Sequence, residues 1–149
     1  METIETDYGY KKICPSGTVR HFNHQNELHN PNGPAVEWAD GDRFYYKHGK
    51  IHRTDGPAVE ETTGYKEYRV DGVLHNPNGP AIEYSDGHKA YYLNGAKHRS
   101  DDDWGPAVDY ANGDKLYYKH GKLHNPYGPA VITKNHKLNF INGKYLWKE

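Results

Sequence analysis

Cysteine, long apolar runs and net charge are all scarce in this chain, and each shortage excludes a class of protein. Cys14 is the one cysteine among 149 residues, so an internal disulfide is excluded and a reducing compartment is favoured. No apolar run has the length of a signal peptide or a membrane span, so we expect a soluble, cytoplasmic protein. The formal net charge of −1 provides no basic excess for stable binding to nucleic acid or anionic lipid.

Apolar residues are also few, and tyrosine takes their place. Hydrophobic residues make up 34% of the chain and the mean hydropathy is −1.11. There are 14 tyrosines, against three phenylalanines and three tryptophans. A tyrosine ring packs while its hydroxyl stays in water, so this composition suits a sheet without a deep core.

A repeated unit, clearest from Leu28 to Lys50, organises the sequence. The triplet Gly-Pro-Ala recurs at spacings of 23, 23, 26 and 23 residues, and the longer step reflects an insertion at residues 101–103. The triplets begin at Gly33, Gly56, Gly79, Gly105 and Gly128. A fixed period of this size is typical of arrays in which each unit packs against its neighbours.

The ends of the array depart from the consensus unit. Residues 9–29 lack the Pro-Ala after Gly9 and are predicted to be an N-terminal cap repeat, followed by central repeats over 30–127. Residues 128–149 are predicted to be a C-terminal cap, in which Leu146 and Trp147 close the last edge. We expect one repeat domain over residues 1–149.

Short Val- and Tyr-rich runs alternate with Gly-containing turns, which favours strands over helices. Each unit is expected to hold two short strands, such as 35–38 and 43–47, and a tail at 50–52 that adds a third. The predicted fold is all-β: a single-domain, elongated array of about six β-hairpin repeats that form one twisted antiparallel sheet.

Asp-Gly and Asn-Gly pairs predict type I′ turns, in which both central residues have positive φ. A two-residue turn at Asp40-Gly41 places Val36 opposite Tyr45 and Trp38 opposite Arg43. A three-residue turn reverses which residues share a face, and the sequence leaves that alternative open. The signal recurs at Asp71-Gly72, Asp86-Gly87, Asn94-Gly95, Asn112-Gly113 and Asn142-Gly143.

Five histidines occupy one position of the repeat: His29, His52, His75, His98 and His124. A shared metal is disfavoured, because equivalent atoms in a meander lie roughly 10 Å apart, whereas two nitrogens on one zinc each lie about 2.1 Å from it. We expect these histidines to order the Gly-Pro loop through backbone hydrogen bonds. The residue after each alternates between asparagine and arginine.

Tyrosines and basic residues form two further columns, which make a candidate binding surface. The residues are Tyr45, Tyr46, Tyr91, Tyr92, Tyr117, Tyr118, Arg43, Lys89 and Lys115. Interleaved aromatic and basic residues are typical of nucleotide binders. The repeat also copies an acidic column, however, and cross-strand charge pairing explains both columns without a ligand.

The inserted loop is the one polar segment that is not repeated, and it carries Asp101, Asp102, Asp103 and Trp104. Because loops carry function disproportionately, this loop is a candidate contact point, although a tolerated insertion is the alternative. The sequence contains no nucleophile elbow, phosphate-binding loop or His-Glu-x-x-His motif, so we predict no catalytic residues, metal or cofactor.

The repeat residues resemble a known family. The 23-residue period, an aromatic followed by x-x-Gly, and the closing His-Gly-Lys or Asn-Gly-Lys are similar to MORN-type repeats, particularly the variant class. Segments 51–64 and 74–87 look like units of repeat proteins that are frequent in bacteriophage and giant-virus genomes. This resemblance implies scaffolding and protein binding, and it implies no shared catalytic residues.

These observations predict a non-enzymatic protein whose extended, tyrosine-rich surface binds another protein. If the viral resemblance holds, the partner is a host protein, such as a component of a defence system, in the host cytoplasm. A module that binds a nucleotide signal and a self-assembling structural protein, a homo-oligomer, are the alternatives.

Overall fold

The computed structural model describes residues 1–146, and within that range it contains β-strands and turns but no helix. The predicted all-β architecture of antiparallel hairpins is therefore confirmed. No helix in this range is available to cross a membrane. Trp147, predicted to help close the last edge, lies outside the described residues.

The chain divides into two compact units, residues 1–73 and the part that begins at Leu74. The strands of the first unit are β1 (Glu2–Thr6), β2 (Gly9–Ile13), β3 (Val19–Asn23), β4 (Val36–Glu37), β5 (Arg43–Phe44), β6 (Tyr46–Lys47), β7 (Lys50–Ile51), β8 (Val59–Glu60), β9 (Lys66–Glu67) and β10 (Arg69–Val70). Neighbours in its antiparallel ladder follow the order β1, β2, β3, β4, β5, β8, β9. Strands β6 and β7 pair with each other outside this ladder.

The second unit repeats the same plan. After β11 (Val73–Leu74), its strands are β12 (Ile82–Glu83), β13 (Lys89–Ala90), β14 (Tyr92–Leu93), β15 (Ala96–Lys97), β16 (Val108–Asp109), β17 (Lys115–Leu116), β18 (Tyr118–Lys119), β19 (Lys122–Leu123), β20 (Val131–Ile132), β21 (Lys137–Leu138), β22 (Phe140–Ile141) and β23 (Lys144–Tyr145). The ladder order is β12, β13, β16, β17, β20, β21. Strands β14–β15, β18–β19 and β22–β23 form separate pairs.

Each repeat therefore contains two hairpins, because the expected strand 43–47 is broken at Tyr45. The Tyr45 N–H donates to the Ala58 carbonyl of the next repeat at 2.8 Å, and the Tyr45 carbonyl accepts the His52 N–H at 3.0 Å. The residues after the break pair with the tail, as Tyr46 opposite Ile51 and Lys47 opposite Lys50. The prediction that the tail adds a strand is confirmed, within a separate hairpin.

The two turns of a repeat differ in type. In the second turn, both central residues have positive φ, as in His48 (47°) and Gly49 (74°) or Asn94 (49°) and Gly95 (80°). These are the predicted type I′ turns. In the first turn only the glycine has a positive φ, as in Gly41 (100°). The type I′ turns predicted at Asp40-Gly41, Asp86-Gly87 and Asn112-Gly113 are therefore wrong.

The first turn is a three-residue loop, so the register that we predicted from a two-residue turn is wrong. The Trp38 N–H donates to the Asp42 carbonyl and the Gly41 N–H to the Trp38 carbonyl. Val36 consequently lies opposite Phe44, and Glu37 opposite Arg43. The Asp40 carboxylate accepts the Asp42 N–H at 3.2 Å, which favours this loop over a type I′ turn.

The core is a double row of small side chains, formed in each repeat by an alanine that directly precedes a short strand and by the first residue of that strand. Alanine is fully buried, with 0% exposure at positions 35, 58, 81, 107 and 130, and the next residue is buried at Val36, Val59, Ile82 and Val108. A chain with few apolar residues can therefore still form a core.

Replacing a type I′ glycine tests this turn assignment. We expect Gly95→Ala to lower the free energy of unfolding by about 1–2 kcal/mol, because a side chain in the left-handed region costs that much. Chemical denaturation measures the change. Gly79→Ala in the same repeat is the matched control, since Gly79 does not have positive φ and an added Cβ meets the nearest atom, Asn76 Nδ2, at 3.6 Å. Equal destabilisation by both changes would contradict the assignment.

Candidate functional site

When each repeat is counted to end at its histidine, as in residues 30–52, the five recurring histidines join each repeat to the next. In each case Nδ1 accepts the backbone N–H of the first residue of the next type I′ turn. The distances are 3.2 Å for His29–His48, 3.0 Å for His52–Asp71, 3.1 Å for His75–Asn94, 3.2 Å for His98–His120 and 3.1 Å for His124–Asn142. The predicted backbone hydrogen bonds are confirmed, but their assignment to the Gly-Pro loop is wrong, because the turn of the following repeat donates them.

The Gly-Pro loop is ordered by the residue after each histidine. Nδ2 of Asn30, Asn76 and Asn125 donates to the carbonyls of Pro34, Pro80 and Pro129 at 2.8, 2.8 and 3.0 Å. In the arginine repeats, Nη1 of Arg53 and Arg99 donates to the carbonyls of Pro57 and Pro106 at 3.2 and 3.5 Å. The alternation of asparagine and arginine is therefore two ways of binding the same carbonyl.

The predicted tyrosine columns are largely engaged within the protein. The guanidinium of Arg53 lies 4.0 Å from the ring centroid of Tyr45, and that of Arg99 lies 4.4 Å from Tyr91, so one face of each ring is covered. Tyr117 occupies the equivalent position and donates its backbone N–H to Ala130. Burial raises the pKa of Tyr46, Tyr92 and Tyr118 above the ordinary value for tyrosine.

The predicted basic column lies opposite acids in the ladder. Arg43 pairs with Glu37 and Glu60, and Lys89 with Glu83 and Asp109. Lys115 Nζ lies 2.8 Å from Asp109 Oδ1. These positions are those of cross-strand charge pairing, which explains the column without a ligand.

The inserted loop is held by two of its three acids. Asp101 Oδ1 lies 3.1 Å from Lys119 Nζ, and Asp103 Oδ2 lies 2.7 Å from Arg99 Nη2. The Asp102 carboxylate has no hydrogen bond or ion pair among residues 1–146. The Lys119 ammonium also lies 5.2 Å from the centroid of the Trp104 ring, so the loop is ordered around this lysine.

Tyr127 is a candidate contact residue that the sequence analysis missed. It packs edge-to-face on Trp104, with ring centroids 5.3 Å apart and an interplanar angle of 85°. Tyr127 is 77% exposed and Trp104 is 40% exposed. The signal was available in the sequence, because the residue before each Gly-Pro is Asn32, Asp55 and Asn78 in the earlier repeats but Trp104 and Tyr127 in the last two.

His98, Asp101 and His120 present ligand atoms within 4.8 Å of one another, which raises the question of a metal. His98 Nδ1 accepts a backbone N–H, so the ring proton resides on Nε2 and leaves no lone pair there for a metal. The rings of His98 and His120 are stacked, with centroids 4.3 Å apart and planes inclined by 9°. A metal must lie near the plane of each ligating ring, and nearly parallel stacked planes do not meet within ligand distance, so this donor set does not fit a metal.

His98 is the more deeply buried of the two histidines in this cluster. It is 3% exposed, and its Nε2 has no hydrogen-bond partner among the described residues, with Asp101 Oδ1 at 3.8 Å. Burial lowers the pKa of His98, and the neighbouring His120 and Lys119 lower it further, while the Asp101 carboxylate acts in the opposite direction. Burial likewise lowers the pKa of His29.

Three grooves beside the Gly-Pro loops each lie within a single unit. Groove 1, in the first unit, lies between loops 30–34 and 53–55 and has a volume of about 730 Å³. Groove 2, in the second unit, lies between loops 76–80 and 99–103 and has about 290 Å³. Groove 3, between loop 99–105 and His124, has about 10 Å³, and Asp101 and Trp104 of the inserted loop are among the residues that line it.

The fold and these contacts define a class: an all-β hairpin repeat protein in which one loop carries an insertion. Comparison of the sequence with models of known protein families found no match, and comparison with curated proteins found none either. The likeness to MORN-type repeats therefore rests on the repeat residues themselves.

Acid is expected to weaken the histidine junctions. Because the pKa of His98 is below 6.5 in the folded state, the unfolded chain takes up the proton first. The stabilisation of the folded state by neutral His98 is therefore complete above pH 6.5. It is lost as the pH falls through the folded-state pKa of His98. Thermal unfolding followed by circular dichroism between pH 8 and pH 5 measures this loss.

The variant His98→Gln keeps an acceptor at this junction but does not titrate. We expect its melting temperature to fall less over the same pH range than that of the wild type. Superimposable pH profiles for the two proteins would show that His98 contributes nothing to the acid sensitivity.

Proposed function

We propose that this protein is a non-enzymatic binding module that holds another protein through the patch formed by Asp102, Trp104 and Tyr127, called here the Trp104–Tyr127 patch. The observation that carries the proposal is the exposed edge-to-face aromatic pair that Trp104 of the inserted loop forms with Tyr127 of the next Gly-Pro loop. Tryptophan and tyrosine are enriched among the residues that dominate binding energy at protein interfaces.

The patch is arranged before any partner arrives. Asp101 and Asp103 fix the loop through Lys119 and Arg99, and the Tyr127 N–H donates to Asn125 Oδ1 at 3.0 Å. A loop that is already ordered loses little conformational entropy on binding. The aromatic surface is therefore available for binding without a large ordering cost.

The charge of the patch indicates the chemistry of the partner. Lys119 and Arg99 each match one acid of the loop, and Asp102 is left without a counterion among residues 1–146. A lysine or arginine of the partner fits here, because it pairs with Asp102 and packs against the exposed Tyr127 ring. The proposed partner surface thus carries a basic side chain.

The nucleotide-binding alternative loses its main support. It required the basic column to be free for phosphate, whereas Arg43, Lys89 and Lys115 lie opposite acids of neighbouring strands. Together with the resemblance to repeat proteins of viral genomes, this favours a protein partner, and we propose a protein of the host cell, such as a component of a defence system.

Replacing Tyr127 by the asparagine of the earlier repeats tests the patch. The Asn32 and Asn78 backbones make the same hydrogen bond to the preceding asparagine as Tyr127, so the loop is expected to keep its shape. We expect affinity for a partner captured from host lysate to fall by about 30-fold, which corresponds to the loss of about 2 kcal/mol at a hot spot. Titration calorimetry with the purified partner measures this change.

Tyr84→Asn, at another exposed tyrosine, is the matched control and should leave affinity unchanged. Equal affinity of wild type and Tyr127→Asn would contradict the assignment of the patch. A concentration-dependent dimer in light scattering that Tyr127→Asn abolishes would instead assign the patch to self-association.

A further inference from the structure

Groove 1 has the same set of side chains as groove 3, although the two belong to different units. His29, Lys47 and His52 line groove 1 at the repeat positions at which His98, Lys119 and His124 line groove 3. His48 and His120 follow the two lysines in the chain and are not among the lining residues. Tyr45 and Tyr46 correspond in the same way to Tyr117 and Tyr118. Grooves 1 and 3 therefore match in the chemistry of their side chains as well as in their repeat positions.

The geometry of the histidines agrees closely between the two grooves. His29 and His48 are stacked with centroids 4.4 Å apart, and His98 and His120 with centroids 4.3 Å apart. The Nδ1 hydrogen bond to the turn is 3.2 Å in both. Lys47 lowers the pKa of His29 as Lys119 lowers that of His98, so each lysine lies near its histidine pair.

Groove 2 differs at these positions. Leu93 stands where the other two grooves have lysine, and Asn94 stands where they have the second histidine of the stacked pair. Groove 2 therefore lacks both the ammonium and the stacked imidazoles, and it serves as an internal comparison.

Grooves 1 and 3 differ in one important respect, since only groove 3 contains an inserted loop. In groove 3 the inserted loop places the Asp101 carboxylate 3.1 Å from Lys119 Nζ and the Trp104 ring 5.2 Å from the same atom. The Trp104 ring also lies 5.9 Å from the ring of His124. The segment forms part of the lining of groove 3, and its contacts indicate which groups this set of side chains binds.

Groove 1 has no such segment. The preceding loop, residues 30–33, has no insertion, and the groove keeps its volume of about 730 Å³. The Lys47 side chain is exposed and has no ion pair among residues 1–146. The nearest acid to the histidine pair is Glu27, whose Oε2 lies 3.9 Å from His48 Nδ1.

We propose that groove 1 binds a segment of a partner protein that carries a carboxylate followed, three residues later, by an aromatic side chain. The chain's own Asp101–Trp104 segment is the internal counterpart of that ligand. The carboxylate pairs with Lys47, and the aromatic ring packs against the lysine ammonium and His52. This site is separate from the Trp104–Tyr127 patch, and it holds whether or not that patch binds a partner.

A peptide with the sequence of residues 100–105, Ser-Asp-Asp-Asp-Trp-Gly, blocked at both ends, is the probe. We titrate it into the ¹⁵N-labelled full chain and follow the backbone amide signals. The expected result is saturable shifts at residues 46–48 and 52. A peptide with alanine in place of tryptophan should bind at least several-fold more weakly, because the cation–π contact is lost.

Lys47→Leu gives groove 1 the residue of groove 2, and we expect it to weaken binding by about tenfold through the combined loss of the ion pair and the cation–π contact. Lys50→Leu, an exposed lysine of the same hairpin that does not line the groove, is the matched control and should bind like the wild type. The spectrum of each variant without peptide shows that it is folded.

Three results would overturn the proposal. The first is the absence of saturable shifts in groove 1, and the second is equal affinity of Lys47→Leu and wild type. The third is a concentration-dependent dimer that Lys47→Leu abolishes, which would make the occupant the loop of a second copy. Loss of partner binding in Tyr127→Asn with intact peptide binding would separate the failure of one site from that of the other.

Discussion

The constraint on which this structure depends is the pair of backbone N–H groups in each type I′ turn that face away from their own hairpin. These N–H groups lie at the largely exposed tip of the turn, and each binds an acceptor elsewhere in the chain. The preceding repeat provides both: a histidine Nδ1 for the first turn residue and a backbone carbonyl for the glycine, as His75 and Leu74 do for Asn94 and Gly95. Each repeat thus completes the one that follows.

This dependence explains the ends of the array. The N-terminal cap contributes His29 and Leu28 to the turn at His48-Gly49, although it lacks the Gly-Pro-Ala triplet. The last turn, Asn142-Gly143, receives its acceptors from His124 and Leu123. The caps depart from the consensus sequence where no adjacent turn needs an acceptor. They keep the consensus where an adjacent turn does need one.

The repeat and the alternation of short strands with loops were predictable because they follow from local residue preferences, whereas the break of the expected strand 43–47 at Tyr45 and the register were not. Asp40-Gly41 and Asp71-Gly72 have the same two residues, yet the first closes a three-residue loop and the second a type I′ turn. The two turns have different partners, because the Asp40 carboxylate accepts the Asp42 N–H, whereas the Asp71 N–H donates to His52 Nδ1. A dipeptide alone contains no information about those partners.

The candidate site was predictable only in part, for a related reason. The repeated columns drew attention to Tyr45 and Lys115, but repetition selects what every junction needs, and these residues are engaged by Arg53 and Asp109. Residues that depart from the repeated pattern, such as Tyr127, identify surface that is not required for packing between repeats. Trp104 was found because an insertion carries it, and its packing on Tyr127 depends on the distance between two loops that the sequence does not specify.

The histidine junctions also bear on how the protein acquires its fold. Their partners are 18 to 22 residues apart in the chain, although the molecule is built from strands. Closing a loop of that size costs far less entropy than joining the distant strands of a sandwich, and low contact order is associated with rapid folding. Because the same short-range step recurs along the chain, structure that nucleates in one repeat can extend to the next in either direction, and no single repeat has to form first.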